Sequence, residues 1–146
     1  MSEEVVLEVS NKLGVSFPKD YIDCVKKNNG GNVEPKLFDV NRKERVFGTL
    51  LSFDIENDEF ILSVYADYKK TLPNRVIPIA FDPAGNLICF DYKNHDSNPK
   101  VVFWEHEGAT EKEELIDDEG MTEEAARENV FYVASTFTEF LNKLHD

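Results

Sequence analysis

The chain has 146 residues, 41% of them hydrophobic and 12% aromatic, which is enough for one domain with an apolar core and too few for two. It lacks the roughly 20 consecutive apolar residues of a membrane helix, and its acidic start, "MSEEVVLEVSNKLG", is unlike a secretory signal. We therefore expect a cytoplasmic protein with no membrane partner. Its 29 acidic and 16 basic residues give a net charge of −13, which argues against direct nucleic acid binding and favours a basic partner.

Apolar residues at helical spacing predict two helices near the N-terminus. The first runs from about Val5 to Leu13 and stops at Gly14. The second begins at Pro18, a residue suited to the first helical position, and carries two lysines (residues 26–27) in its last turn, where they complement the helix dipole.

Strand and helix signals alternate over the next forty residues. Leu37–Val40 and Arg45–Ser52 are rich in Val, Phe and Leu and predict the two strands of a hairpin. Apolar residues on one face of Phe60–Tyr68 then predict a third helix, with Asn57 as its N-cap and Pro73 beyond its end.

The stretch "IPIAFDPAGNLICFDY" (residues 77–92) predicts two strands joined by a tight turn. Asp82, Pro83 and Gly85 occupy the positions that a type I turn prefers. Asp82 is better explained as a cap of its own turn than as a metal ligand, because calcium loops need four or more closely spaced oxygen ligands.

The last elements are a strand within "KVVFWEHE" (residues 100–107) and a C-terminal helix. Thr136 and Glu139 match a capping box, and Phe137, Phe140 and Leu141 follow at helical spacing. Helices at both ends and in the middle, with strands between them, predict one α+β domain over residues 1–146 with a mainly antiparallel sheet.

Residues 105–129, which we call the acidic segment, contain 11 acidic and two basic residues. The segment carries −9 of the net charge of −13. It holds too few apolar residues to belong to the core. We interpret about residues 108–129 as a solvated acidic insertion, with room for a turn of helix from Thr122 to Arg127.

The residue types needed for catalysis or metal binding are not arranged at suitable spacings. Cys24 and Cys89 lack metal-site spacing and are expected to be buried thiols. His106 lies between Glu105 and Glu107, and strand alternation would place it on the opposite face from both. Nucleophile motifs and phosphate loops are absent from the sequence. We therefore expect no catalytic residue, no metal and no cofactor.

The aromatic residues of the central strands raise the question of a recognition surface. About half should point into the core. Of the remainder, Trp104 or Tyr92 is expected to face outward and to anchor a partner.

Four pieces of the sequence stand in a characteristic order. They are "FPKDYIDCVKKNNGG" (17–31), "VIPIAFDPAGNLICFDY" (76–92), "VVFWEHE" (101–107) and "VASTFTEFLNKL" (133–144). Together they resemble the SUKH superfamily, which is shared by bacterial immunity proteins and a fungal regulator of cell-wall synthesis. The resemblance implies helices flanking a bent, mainly antiparallel sheet, and a binding protein without catalytic residues.

The resemblance also implies a function. We expect an immunity protein that binds and neutralises a cognate polymorphic toxin domain. The expected toxin is a nuclease, such as an RNase of an LXG-type toxin. We expect the protein to be a monomer or a weak homodimer. An intracellular scaffold or regulatory binding module is the alternative, and a hydrolase with paired carboxylates is a third hypothesis. The expected contact residues, taken from the acidic segment and the strand before it, are Trp104, Glu105, Glu107, Glu111, Glu113, Glu114, Asp117, Asp118 and Glu119.

Overall fold

The described part of the chain contains four helices and seven strands. The computed structural model describes residues 3–27, 37–40, 43–68, 72, 75–83, 85–93, 99–105 and 130–145. In chain order the elements are α1 (Glu3–Leu13), α2 (Lys19–Lys27), β1 (Leu37–Val40), β2 (Lys43–Val46), β3 (Thr49–Leu50), α3 (Ile61–Tyr68), β4 (Val76–Phe81), β5 (Leu87–Asp91), β6 (Lys100–Trp104), β7 (Val130–Ala134) and α4 (Phe137–Asn142). Within these ranges, no helix is long and apolar enough to cross a membrane.

The strands form two sheets. Five strands lie in the order β3–β4–β5–β6–β7, and each pairs antiparallel with its neighbours. The other two, β1 and β2, form a separate antiparallel pair. The predicted α+β class with a mainly antiparallel sheet is confirmed.

The predicted strand Arg45–Ser52 is divided between the two sheets. Strand β2 ends at Val46 in the small sheet, and β3 begins at Thr49 in the large one. Between them, the Gly48 amide donates to the Phe81 carbonyl at 3.0 Å. A Cβ on Gly48 would lie 2.5 Å from that oxygen, so this close approach of two backbones requires glycine.

One face of the large sheet is covered by α2 and α4. The Phe90 ring on β5 lies 5.0 Å from Tyr21 of α2 and 6.1 Å from Phe137 of α4, measured between ring centroids. Tyr21 and Phe137 also contact each other at 5.4 Å in an edge-to-face arrangement. These three rings join two helices to the middle strand of the sheet.

The opposite face of the large sheet is covered by α3. The Tyr68 ring lies 5.4 Å from Trp104 on β6 and 6.3 Å from Phe81 on β4. Because both faces are covered, β4, β5 and β6 are almost continuously buried, a pattern more common in parallel sheets.

The helix N-termini test two of the predicted caps. In α4, the Glu139 amide donates to Thr136 Oγ1 at 3.0 Å, which confirms Thr136 as the N-cap. The Glu139 carboxylate accepts from the Ser135 amide at 3.3 Å. The prediction of Asn57 as the cap of α3 is wrong, because that helix begins at Ile61 and Asn57 instead accepts from the Glu59 amide in the preceding turn.

Two buried tyrosines differ in what their hydroxyl groups contact. The Tyr92 hydroxyl donates to the Ser16 carbonyl at 2.9 Å. The Tyr21 hydroxyl has no hydrogen-bond partner among the described residues. The pKa of Tyr21 is raised well above 10, mainly by burial and secondly by the neighbouring Tyr92. Burial also raises the pKa of Tyr92, against the opposing effect of Arg75.

We expect Tyr21→Phe to leave the free energy of unfolding at pH 7 unchanged or to raise it by up to about 1 kcal/mol, because it removes an unsatisfied buried hydroxyl. Tyr92→Phe, the matched control, should lower that free energy by about 1 kcal/mol, because it removes a hydrogen bond. Urea unfolding measures both, and a larger loss for Tyr21→Phe than for Tyr92→Phe would contradict the assignment.

The same variants should change the response to alkali. Both folded-state pKa values lie above the value of about 10 for an unfolded tyrosine, so the stability these groups contribute is complete below pH 10 and is lost as pH rises toward the folded-state values. The wild-type protein should therefore lose stability above about pH 10, and each phenylalanine variant should lose it less steeply.

Candidate functional site

The acidic segment leaves and rejoins the sheet at adjacent positions. Trp104, the last residue of β6, pairs with Val130, the first residue of β7. Leu87, the first residue of β5, is the partner of Trp104 on the other side. A connection bearing nine net negative charges is therefore attached at one end of the large sheet, beside the β4–β5 turn.

The prediction that Trp104 or Tyr92 faces outward is wrong. Their exposed fractions are 1% and 0%. The Trp104 ring packs against Tyr68 of α3. The Tyr92 hydroxyl donates a hydrogen bond to the Ser16 carbonyl inside the fold. The reason is that both faces of the sheet are covered, so strand alternation does not bring either ring to the surface.

Glu105 follows Trp104 directly and is held by the small sheet. Its carboxylate lies 3.9 Å from the guanidinium of Arg45 on β2. That guanidinium also lies over the Phe103 ring, 4.9 Å from its centroid. Both partners of the ion pair are partly exposed, so it contributes modestly to stability. Its effect is to position the first residue of the acidic segment against the fold.

The other predicted acidic contacts fall outside the described residues. They are Glu107, Glu111, Glu113, Glu114, Asp117, Asp118 and Glu119. His106, which separates Glu105 from Glu107 in the metal-like "WEHE" sequence, is also outside the described ranges. Their role as contacts therefore stays a prediction.

Asp82 caps the turn that joins β4 to β5. Its two carboxylate oxygens accept from the Asn86 amide at 2.8 Å and from the Asn86 side chain at 3.0 Å. The Gly85 amide donates to the Asp82 carbonyl at 3.2 Å, and Gly85 has a φ of 89°, a left-handed conformation that glycine adopts without strain. The interpretation of Asp82 as a turn cap is confirmed.

A cleft of about 290 Å³ lies where α2 and α4 begin. The Asp20 carboxylate lines this cleft, and both of its oxygens accept hydrogen bonds. One oxygen accepts from the Tyr21 amide at 2.8 Å. The other accepts from the Thr138 amide at 2.9 Å and from the Thr138 hydroxyl at 2.7 Å. The described residues that line this cleft include Asp20 and no second carboxylate, whereas glycoside hydrolysis uses a pair.

The two cysteines carry thiols outside any disulfide. Cys89 is fully buried, and Cys24 is partly buried. The pKa of the Cys89 thiol is raised well above its ordinary value, mainly by burial and secondly by the nearby Asp91. A thiol held in its neutral form is a poor nucleophile, so Cys89 has a packing role between the strands.

Comparison with known proteins identifies the family. The family model described as SMI1 / KNR4 (SUKH-1) matches residues 1–143. The chain belongs to this family. A relative in Bacillus subtilis strain 168, named SPbeta prophage-derived uncharacterized protein YokK, is 28% identical over 163 aligned positions, which cover 99% of this chain and 75% of the relative. No solved structure matches the chain. SUKH proteins are known as immunity proteins that act by binding.

We expect Asp82→Ala to lower the free energy of unfolding by about 1–3 kcal/mol, because it removes the two hydrogen bonds that the Asp82 carboxylate accepts from the buried Asn86. Asp54→Ala is the matched control, since the exposed Asp54 carboxylate accepts a hydrogen bond from the Glu56 amide. This variant should lower the free energy of unfolding by less than about 0.5 kcal/mol. Denaturant unfolding measures both variants. Equal losses would show that Asp82 does not stabilise the hairpin through its turn.

Proposed function

We propose that this protein is an immunity protein that binds the active domain of a cognate polymorphic toxin and neutralises it. The observation that carries the proposal is the attachment of the acidic segment at one end of the large sheet, between Trp104 and Val130, in a chain that matches the SUKH-1 family from residue 1 to 143. The prophage origin in the name of the Bacillus relative is consistent with this role.

The charge of the acidic segment supports a nuclease as the target. A nuclease needs a basic surface to hold phosphates, and a dense set of carboxylates complements that surface. Complementary charge speeds association and favours the correct partner over others. We therefore propose an RNase domain of an LXG-type toxin, with its substrate-binding surface covered by the acidic segment.

The proposed contacts are carboxylates, without Trp104. A ring that is 1% exposed offers no surface to a partner, so Trp104 serves the site by anchoring the end of β6 under Tyr68. Glu105 begins the contact surface, with Arg45 setting its position. The remaining proposed contacts are Glu107, Glu111, Glu113, Glu114, Asp117, Asp118 and Glu119.

Co-expression with a toxin gene found next to the gene for this protein tests the function. The wild-type protein should restore growth and should be recovered in a complex with the toxin domain. If the toxin still arrests growth and no complex forms, the immunity function is refuted. An isolated gene without a toxin neighbour would favour the scaffold or regulatory module instead.

A neutralised variant tests the surface separately from the function. It replaces six acids of the acidic segment with their amides: Glu111, Glu113, Glu114, Asp117, Asp118 and Glu119. We expect toxin affinity to fall at least about tenfold and its dependence on salt concentration to flatten, because charge steering and surface complementarity are both reduced. Calorimetric titrations at several salt concentrations measure both effects.

The control variant neutralises six exposed acids elsewhere on the described surface and has the same net charge of −7. These acids are Glu4, Glu8, Asp23, Glu56, Asp58 and Asp67. The control should bind almost as tightly as the wild-type protein. If the two variants behave alike, the acidic segment is not the toxin-binding surface, whether or not the protein confers immunity.

A further inference from the structure

Three potential metal ligands converge at a place remote in sequence from the acidic segment. Asp39, Glu44 and His145 each present one ligand atom, and the three atoms lie within 4.8 Å of one another. Asp39 and Glu44 are exposed, and His145 is partly buried. The proposed binding function uses none of these residues.

The fold brings the three residues together by two independent pairings. In the antiparallel pair of β1 and β2, Asp39 lies directly opposite Glu44. On the other side of β1, the His145 backbone exchanges two hydrogen bonds with Leu37, at 2.8 and 3.0 Å. Because Leu37 and Asp39 are two residues apart on one strand, their side chains share a face.

The arrangement places two carboxylates where they repel each other. Like charges directly opposite across an antiparallel pair destabilise it. The imidazole Nε2 of His145 lies 3.4 Å from Asp39 Oδ2, farther than the roughly 2.7–2.9 Å of a charge-assisted N–H···O bond. Two ligand atoms about 2.0–2.2 Å from a tetrahedral zinc ion are about 3.3–3.5 Å apart, which matches this separation.

We propose that Asp39, Glu44 and His145 bind a divalent first-row transition metal, with Zn²⁺ as the reference ion. One imidazole nitrogen and two carboxylate oxygens are ligands that such metals accept. The metal neutralises the carboxylate pair and keeps water in its remaining position, since two of the three ligands are exposed. It clamps the β1–β2 hairpin to His145, three residues beyond the end of α4.

Zinc titration of the untagged wild-type protein tests the site. Calorimetry should show saturable binding of one Zn²⁺, and the unfolding temperature should rise with Zn²⁺ concentration because the ion binds the folded state. His145→Asn, Asp39→Asn and Glu44→Gln should each weaken Zn²⁺ binding at least tenfold and reduce that rise. Bound Co²⁺ should give the visible absorption of a four-coordinate ion.

The control is the double variant His95→Asn/His106→Asn, which removes the other two of the three histidines. It should bind Zn²⁺ as the wild-type protein does. The proposal is overturned if the wild-type protein shows no saturable Zn²⁺ binding, if His145→Asn binds as tightly as the wild type, or if the double variant loses as much affinity as His145→Asn. These outcomes are independent of whether the protein neutralises a toxin.

Discussion

The contact of Tyr21, Phe90 and Phe137 is the interaction on which the rest of this structure depends. It joins α2, the middle strand of the large sheet and α4 through three edge-to-face ring contacts. Aromatic side chains bury large apolar areas, and such pairs add some stabilisation beyond that burial. Beside the rings, Asp20 accepts hydrogen bonds from the amide and hydroxyl of Thr138, so polar bonds hold the same two helices together.

This packing determines what the end of the sheet can offer to a partner. With α2 and α4 on one face and α3 on the other, the rings of β5 and β6 are internal. Connections between strands tolerate sequence change better than the core does, and the recognition surface that we propose is one of them. The connection between β6 and β7 carries −9 of the protein's net charge of −13, so a densely packed scaffold is combined with a strongly charged connection.

The features that local physics dictates were predictable. Thr136 caps α4 because a side-chain oxygen satisfies an orphan amide of the first turn, and Asp82 and Gly85 form a turn because their conformational preferences match it. The prediction that Asn57 caps α3 was wrong because an asparagine side chain that accepts from a nearby amide can close a turn as well as cap a helix. Here Asn57 closes the turn just before α3. Short-range signals identify such a bond without showing whether a helix follows at once.

The sequence predicts the candidate site only as a region, and it does not predict the orientation of the side chains in that region. The charge of the acidic segment is a property of composition, and family resemblance linked it to a binding function. The pairing of Arg45 with Glu105 joins residues sixty positions apart, and no periodicity in the sequence signals it. The approach of His145 to Asp39 and Glu44 is likewise a product of strand pairing across the length of the chain.

The sequence by itself determined the α+β class, the positions of most elements, the hairpin turn and the location of the charge, because each follows from local pattern and composition. The tertiary structure alone decided which side chains face outward. "KVVFW" and "LICF" contain apolar residues on both alternating faces, and a strand buried on both sides has no polar face to mark its orientation. Whether Trp104 reaches solvent depends on where α3 packs, and that is a long-range outcome of the whole fold.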